Sequence, residues 1–556
     1  MTDMRRIVLY VAAALLGVML YMTWMKDYPP AAVKQASTTS NTQTTSPQAF
    51  TPPVYDPSKS TATESAKTAT AQAPTVEGGL VKVKTEVLDL VFSLQGGNLV
   101  SAKLLQYPVS LEQKRPVQVL SPKDERLYIA QSGVTSKQTP ETATMTFPSP
   151  EVVSKNGTTV VTFTGKAANG VTIIKSYTIP KNHYAITAAI TVVNKSTAPW
   201  SGSFFNQIVR RNVDAEGGGF HAQSYNEAAM FTPDKPYTKL PFKKLAKENV
   251  AESIEGGWIA MQQQYFIATW VPNQQSTNRF YSHAVGDGKK GAGDVFTIGY
   301  VSPIATVKPD QSITNSSQFY VGPEIAENLD ALAKGLKLTI DYGWLWWLSV
   351  PIFWVMKHIH SVLGNWGWTI IAITVLIKLM FYHLSNKSYQ SMAKMRDLQP
   401  RLEALRKRHG DDKQALGRAT MEFYKKEKVN SMGGCLPMLV QIPVFIALYF
   451  VLIEAVQLRQ APFIFWIQDL STKDPYFVLP VLMGLSMFVQ QKLSPPPPDP
   501  TQAKVMLLLP FGLTIFFLSF PAGLVLYWLV NNCLSIAQQW YVMKTFTTKK
   551  TSHKKK

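Results

Sequence analysis

The sequence predicts a multi-span α-helical membrane protein with six transmembrane helices and a large extramembrane antiparallel β-sandwich. Three observations predict it. Apolar runs of near-spanning length recur through the last third of the chain. The middle of the chain alternates apolar and polar residues with period two. The net charge of +20 over 556 residues is concentrated in short segments beside the apolar runs. That distribution fits loops retained on the cytoplasmic side of a membrane better than a nucleic-acid surface.

At the start of the chain, Arg5 and Arg6 precede an uncharged run from Ile7 to Trp24, which ends in Tyr21, Trp24 and Lys26. This reads as an uncleaved transmembrane anchor over 1–26, its aromatic end matching an interface belt. Residues 27–79, with "QASTTSNTQTTSPQAF", have almost nothing to bury and form a flexible Ser/Thr/Pro-rich tether. From 80 to 340 come short β-branched runs such as "TTVVTFT" (158–164), "VTIIKSYTI" (171–179) and "YAITAAITVV" (184–193), separated by turn residues. A domain of that length can bury a core without disulfides, and the only cysteines are Cys435 and Cys533. "GDGKKGAGD" (286–294) is a hairpin loop rather than a phosphate loop, because no Ser or Thr follows its lysines.

Residues 341–365 include "LWWLSVPIFWVMKHIHSVLG", in which aromatic residues mix with Lys357, His358 and His360. This suits an amphipathic helix lying in the membrane interface. The two histidines are two positions apart and share no helix face, so a metal site is not expected. The core, 366–543, then holds five apolar runs: Trp366–Leu384, Cys435–Val456, Tyr476–Gln491, Val505–Phe520 and Gly523–Met543. The segment 385–432 is rich in Lys and Arg, and the tail 544–556 ends in Lys554, Lys555 and Lys556. Both are expected in the cytoplasm, which places both termini there and the β domain outside, most simply in the periplasm of a bacterium with the spans in its inner membrane. Within 385–432, Met392, Met395, Leu398, Leu402 and Leu405 repeat at three- and four-residue spacing, and Leu416, Ala419 and Phe423 do the same. Two helices folded back as a cytoplasmic hairpin are predicted, with Pro400 kinking the first or cutting it in two.

No phosphate loop, HExxH or GxSxG occurs, so no enzyme is predicted. What remains is polarity inside the apolar runs. Thr374 and Lys378 lie four apart on one face of the second run; Gln441 sits between Pro437 and Pro443 in the third; Asn531 and Asn532 sit in the last. A charge at membrane depth costs a few kcal/mol on insertion scales, and such residues face a bundle interior or a wet cavity. Lys378 is about six residues, roughly 9 Å, from the cytoplasmic end of its run at Leu384. Together these groups are expected to line a hydrophilic groove open to the cytoplasm, easing entry of polar peptide and attracting its acidic residues. The alternative is a secondary transporter with a polar midplane site, although no internal repeat is evident. A third reading makes the β domain a glycan-binding or glycan-processing module on an anchor.

"MAKMRDLQPRLEALRKRHGDD" (392–412), "GGCLPMLVQIPVFIALYFVL" (433–452), "LRQAPFIFWIQDLSTKDPY" (458–476), "PAGLVLYW" (521–528), "GGWIAMQQQYFIATWVP" (256–272) and "FYVGPE" (319–324) resemble the YidC-type membrane protein insertase family. The resemblance covers most of the chain. It implies a periplasmic β-supersandwich on a five-helix insertase core. It also implies insertion and folding of nascent membrane proteins in the lipid bilayer, alone or beside the Sec translocon, without cofactor or nucleotide hydrolysis. Ribosomes and targeting factors are implied partners of the hairpin and basic tail. The family's groove carries an arginine where this chain has Lys378, which keeps the charge and loses the planar fork. Thr374 and Gln441 match other groove positions, and Tyr527 and Trp528 match an aromatic pair that substrate would touch.

Overall fold

Alternation along the middle of the chain becomes two packed sheets. The computed structural model describes residues 75–139, 142, 145–167, 169–213, 226–286, 294–409, 413–427, 436–494 and 500–554. The expected anchor and the tether up to residue 74 lie outside the described residues. Strands Thr158–Lys166, Val171–Pro180 and Ala185–Asn194 pair antiparallel, with Thr187 opposite Thr178. Burial alternates residue by residue along Val171–Pro180, as period-two patterning requires. These strands join Ser312–Pro323 and Phe266–Val271 in a sheet of nine strands among the described residues. A second sheet of eleven centres on Trp200–Arg211, flanked by Tyr128–Thr135 and Val295–Val301.

The sheets face each other across an aromatic core that includes the fully buried Trp270, Phe92, Phe163 and Phe266. Several polar groups that enter this core are satisfied across it. Trp270 Nε1 donates to Gln207 O (3.2 Å), the Tyr128 hydroxyl to Met261 O (2.8 Å) and Arg210 Nη1 to Gln262 O (2.7 Å). Lys175 is fully buried, and its Nζ donates to Gly96 O (2.6 Å) and Ser132 O (2.7 Å). The pair Gly256–Gly257 turns the chain with φ of 64° and 77°; a Cβ on Gly256 would come within 2.8 Å of Gln274 O.

Beyond the β domain the chain is helical: α1 Trp346–Leu363, α2 Trp366–Met380, α3 Tyr382–Asp397, α4 Gln399–His409, α5 Lys413–Lys426, α6 Leu436–Glu454, α7 Val478–Leu493, α8 Pro500–Phe517 and α9 Ala522–Lys554. Gly364, left-handed at φ 65°, ends α1, and Asn365 caps α2 by accepting from Trp368 N (3.1 Å). Trp366 is stacked between Phe353 (6.3 Å, 12°) and His360 (4.1 Å, 17°) of α1. Trp344, Trp346, Trp347 and Trp354 stay exposed.

The run Trp366–Leu384 differs from the single span expected of it. It breaks at Phe381, where α2 and α3 meet at 68°. The reason lies in the residues beyond the break. From His383 onward the sequence turns polar, and α3 buries Ser385, Ser388, Tyr389 and Ala393, packing against α9 instead of continuing the axis of α2. No single described helix is long and apolar enough to cross a membrane; the bent pair α2 and α3 passes that test together. In the basic segment the chain breaks at Leu398, and Pro400 falls in the first turn of α4, where its missing N–H costs nothing. The stripe of Met392, Met395, Leu398, Leu402 and Leu405 is thus shared between α3, the break and α4, each residue half-buried. Helices α4 and α5 pack together, and Arg401 pairs with Glu427 at 3.0 Å.

The β domain is fastened to the helices at one end. Arg459, just beyond α6, donates from Nη2 to Pro108 O (2.6 Å) and Val109 O (2.9 Å) and lies 5.5 Å over the Phe266 ring. Gln460 Nε2 adds a bond to Pro108 O (3.0 Å), and Gln264 Nε2 donates to Ile453 O (3.3 Å). Nearby, Lys239 pairs with Asp341 and with Glu227 (3.6 Å). Glu324 is buried, accepting from Gln262 Nε2 (3.4 Å); burial pushes its carboxyl well above the usual carboxylate range.

Candidate functional site: a polar recess between helices

The break at Phe381 changes the setting of Lys378. It stands in the last turn of α2, two residues from the helix end at Met380 rather than six from Leu384. The exposed carbonyls of that turn favour a cation there. The side chain is half-buried and turned inward: Nζ donates to Ser535 Oγ on α9 at 2.7 Å. Ser535 Oγ in turn donates to Asn531 O at 2.7 Å, and the Tyr389 hydroxyl of α3 lies against it. Among the described residues, no carboxylate forms an ion pair with Lys378.

One turn along α9, Asn531 Oδ1 accepts a short hydrogen bond from Gln441 Nε2 of α6. Lys378, Gln441 and Asn531 are therefore brought into one half-buried string running from α2 across α9 to α6. Asn532 is adjacent in sequence but about 100° around the helix, and it points elsewhere. Its Nδ2 donates to Ser486 Oγ of α7 at 3.0 Å, a buried pin between two helices. Thr374 lies one turn from Lys378, but it is buried and its hydroxyl donates to Ile370 O of its own helix (2.6 Å).

The aromatic pair divides in the same way. Tyr527 is buried beside Gln441 and stacks on Phe445 (6.0 Å, 25°). Trp528 is half-buried between Phe445 (4.6 Å, 80°) and Phe517 (5.0 Å, 57°), and so presents an aromatic edge beside the polar string. Ser535, Ser486 and Tyr389 were not singled out by the sequence. A serine in an apolar helix carries no signal of its own, because its hydroxyl can bond the preceding turn. The spacing of Asn531 and Ser535, four apart, is the one clue that they share a face.

Chemically, the string offers one ammonium, an amide pair and an aromatic edge. Its one hydroxyl beside an amine is Ser535 Oγ, which receives Lys378 Nζ at 2.7 Å, and the described residues contain no group of His, Cys, Asp or Glu arranged to hold a metal ion. These groups can donate and accept hydrogen bonds and can face an anion.

Comparison with known proteins extends this picture over the whole chain. The family model described as "YidC periplasmic domain" matches residues 80–355, and that described as "60Kd inner membrane protein" matches residues 358–550. The protein called "Membrane protein insertase YidC" in Coxiella burnetii is 49% identical over 558 residues, 99% of this chain and 98% of the relative. Its namesake in Legionella pneumophila is 46% identical over 561 residues, 99% of both. That of Nitrosococcus oceani is 46% identical over 471 residues, 84% of this chain and 85% of the relative.

Proposed function

The chain belongs to the YidC family of membrane protein insertases, inner membrane proteins with a periplasmic domain, and from that premise we propose that the recess between α2, α6 and α9 receives the polar part of a nascent membrane protein. The carrying observation is Lys378: an ammonium turned into the bundle, half-buried, with a hydroxyl as its partner and no carboxylate paired with it among the described residues.

An ammonium has three N–H donors, and Ser535 takes one. The others are available to water or to a carboxylate of the incoming chain. A carboxylate about 4 Å from Lys378 gains ~4 kcal/mol at an effective dielectric of 20, against ~3 kcal/mol for placing an acidic residue at membrane depth on insertion scales. One lysine therefore offsets the cost of roughly one acidic residue. The Gln441–Asn531 pair supplies amide bonds that peptide groups of the substrate can replace one for one. Trp528, Phe445 and Phe517 offer an apolar wall to the segment that will become the span. That segment leaves sideways into lipid.

On this reading both termini and the basic helices α4 and α5 are cytoplasmic, the β domain is periplasmic, and α1 floats its exposed tryptophans in the interface. The basic faces of α4, α5 and the end of α9 would meet the ribosome, whose RNA is anionic.

The test is insertion in living cells depleted of the native insertase. Lys378→Ala should slow insertion of single-span substrates with acidic external tails, and Lys378→Arg should restore it. Insertion by Lys378→Ala at the wild-type rate would refute the role given to the charge.

A further inference from the structure

Lys378 sits two residues from the end of α2 on a flexible four-carbon stem. Left alone, such a stem turns toward the nearest water or headgroups, here around the break at Phe381. The structure shows it held instead against α9, and one atom holds it. Ser535 Oγ gives its only hydrogen to Asn531 O (2.7 Å), so its oxygen is left purely as an acceptor. That oxygen receives Lys378 Nζ at 2.7 Å. Tyr389, itself buried, closes the side toward α3. The acceptor is thus fixed in direction by its own helix before any substrate arrives, and Asn531 couples it to Gln441 one turn away.

We propose that Ser535 is a positioning residue for insertion: it keeps the Lys378 ammonium inside the recess, two N–H donors facing the incoming carboxylate, and so sets the preference for acidic tails. The proposal rests on the insertase reading of this recess. It concerns a residue that touches no substrate and acts only through the lysine.

Serine to alanine is a mild change in a helix, since alanine is the better helix former and the lost back-bond is replaced by a methyl group. The test compares Ser535→Ala, Ser535→Thr, Lys378→Ala and the double variant Ser535→Ala/Lys378→Ala in the full-length protein. Each inserts two single-span substrates that differ only in having acidic or neutral amide residues in the external tail. Losing one hydrogen bond to a half-buried charged group should slow the acidic-tail substrate roughly tenfold in Ser535→Ala, the low end for such a bond. The neutral-tail substrate should be unchanged, Ser535→Thr should restore the rate, and Ser535→Ala should add nothing in the Lys378→Ala background. If Ser535→Ala matches wild type while Lys378→Ala is slow, the positioning role is wrong and the recess reading stands. Equal loss for both tails, or additive loss in the double variant, also overturns it by assigning Ser535 to packing. If Lys378→Ala itself matches wild type, the recess reading fails and the proposal fails with it.

Discussion

Replacing Arg459 with alanine should loosen the β domain from the helices that carry the recess. The guanidinium gives two hydrogen bonds, to Pro108 O at 2.6 Å and Val109 O at 2.9 Å, and lies over Phe266 at 5.5 Å. A hydrogen bond from a charged donor contributes ~1.5–3 kcal/mol when buried. Arg459 is half-buried, so the low end applies, and the two bonds with the ring contact come to about 3–4 kcal/mol. Gln460 Nε2 still reaches Pro108 O at 3.0 Å in the variant, which keeps the joint from separating outright. A loss of that size raises the population of the undocked joint roughly hundred- to several-hundredfold. Hydrogen exchange of the full-length protein in lipid nanodiscs reads this directly. The amides of Leu458 and Ala461, bonded to Ala455 O (3.0 Å) and Leu458 O (3.2 Å), should exchange faster, while strands deep in the sandwich should not change. Arg459→Lys, which keeps the charge without the fork, should fall between. Unchanged exchange over 455–461 in Arg459→Ala would refute the claim that this side chain fastens the two parts.

Three further outcomes are expected. Burial raises the carboxyls of Glu324 and Glu227 above their usual range, so their share of stability is full below that range and is lost as pH rises through the raised values; Tm should fall from mildly acidic toward alkaline pH. Glu324→Gln should flatten that slope in a thermal scan from pH 5 to 8, and a slope equal to wild type would refute the assignment. A Cβ on Gly367 would lie 2.0 Å from Phe463 Cδ2, so Gly367→Ala must push the ring aside at a cost of ~1–3 kcal/mol, visible as a lower Tm in detergent. Lys175→Met leaves the carbonyls of Gly96 and Ser132 without their buried donor and should destabilise the β domain by about 2–4 kcal/mol, measured by denaturant unfolding followed on the tryptophans of the full chain.

The sandwich was legible where one face is buried and the other is half-exposed. "TTVVTFT" and "VTIIKSYTI" fall on strands 158–166 and 171–180 because their β-branched residues alternate. The sheet order was not legible, since nothing local tells Trp200–Arg211 to pair with both Tyr128–Thr135 and Val295–Val301. In the helical part, hydrophobic runs mark where helices are but not where they bend. The break at Phe381 has no Pro or Gly to announce it; it is set by α3 finding α9. That miss misplaced Lys378 along its helix. Of the polar residues in the runs, Lys378, Gln441 and Asn531 meet in one string. Thr374 satisfies its own backbone and Asn532 pins α7. Polarity in an apolar run shows that a group needs a partner, and only the fold shows which one.

Trp366, clamped between Phe353 and His360, turns the corner between α1 and α2 into a stiff elbow rather than a loose joint. Gly364 and Asn365 are the only residues between the two helices, so the Trp366 clamp and the Asn365 cap set the angle at which they meet. Removing the Trp366 ring would leave that two-residue link with no aromatic contact to hold the angle between the arms.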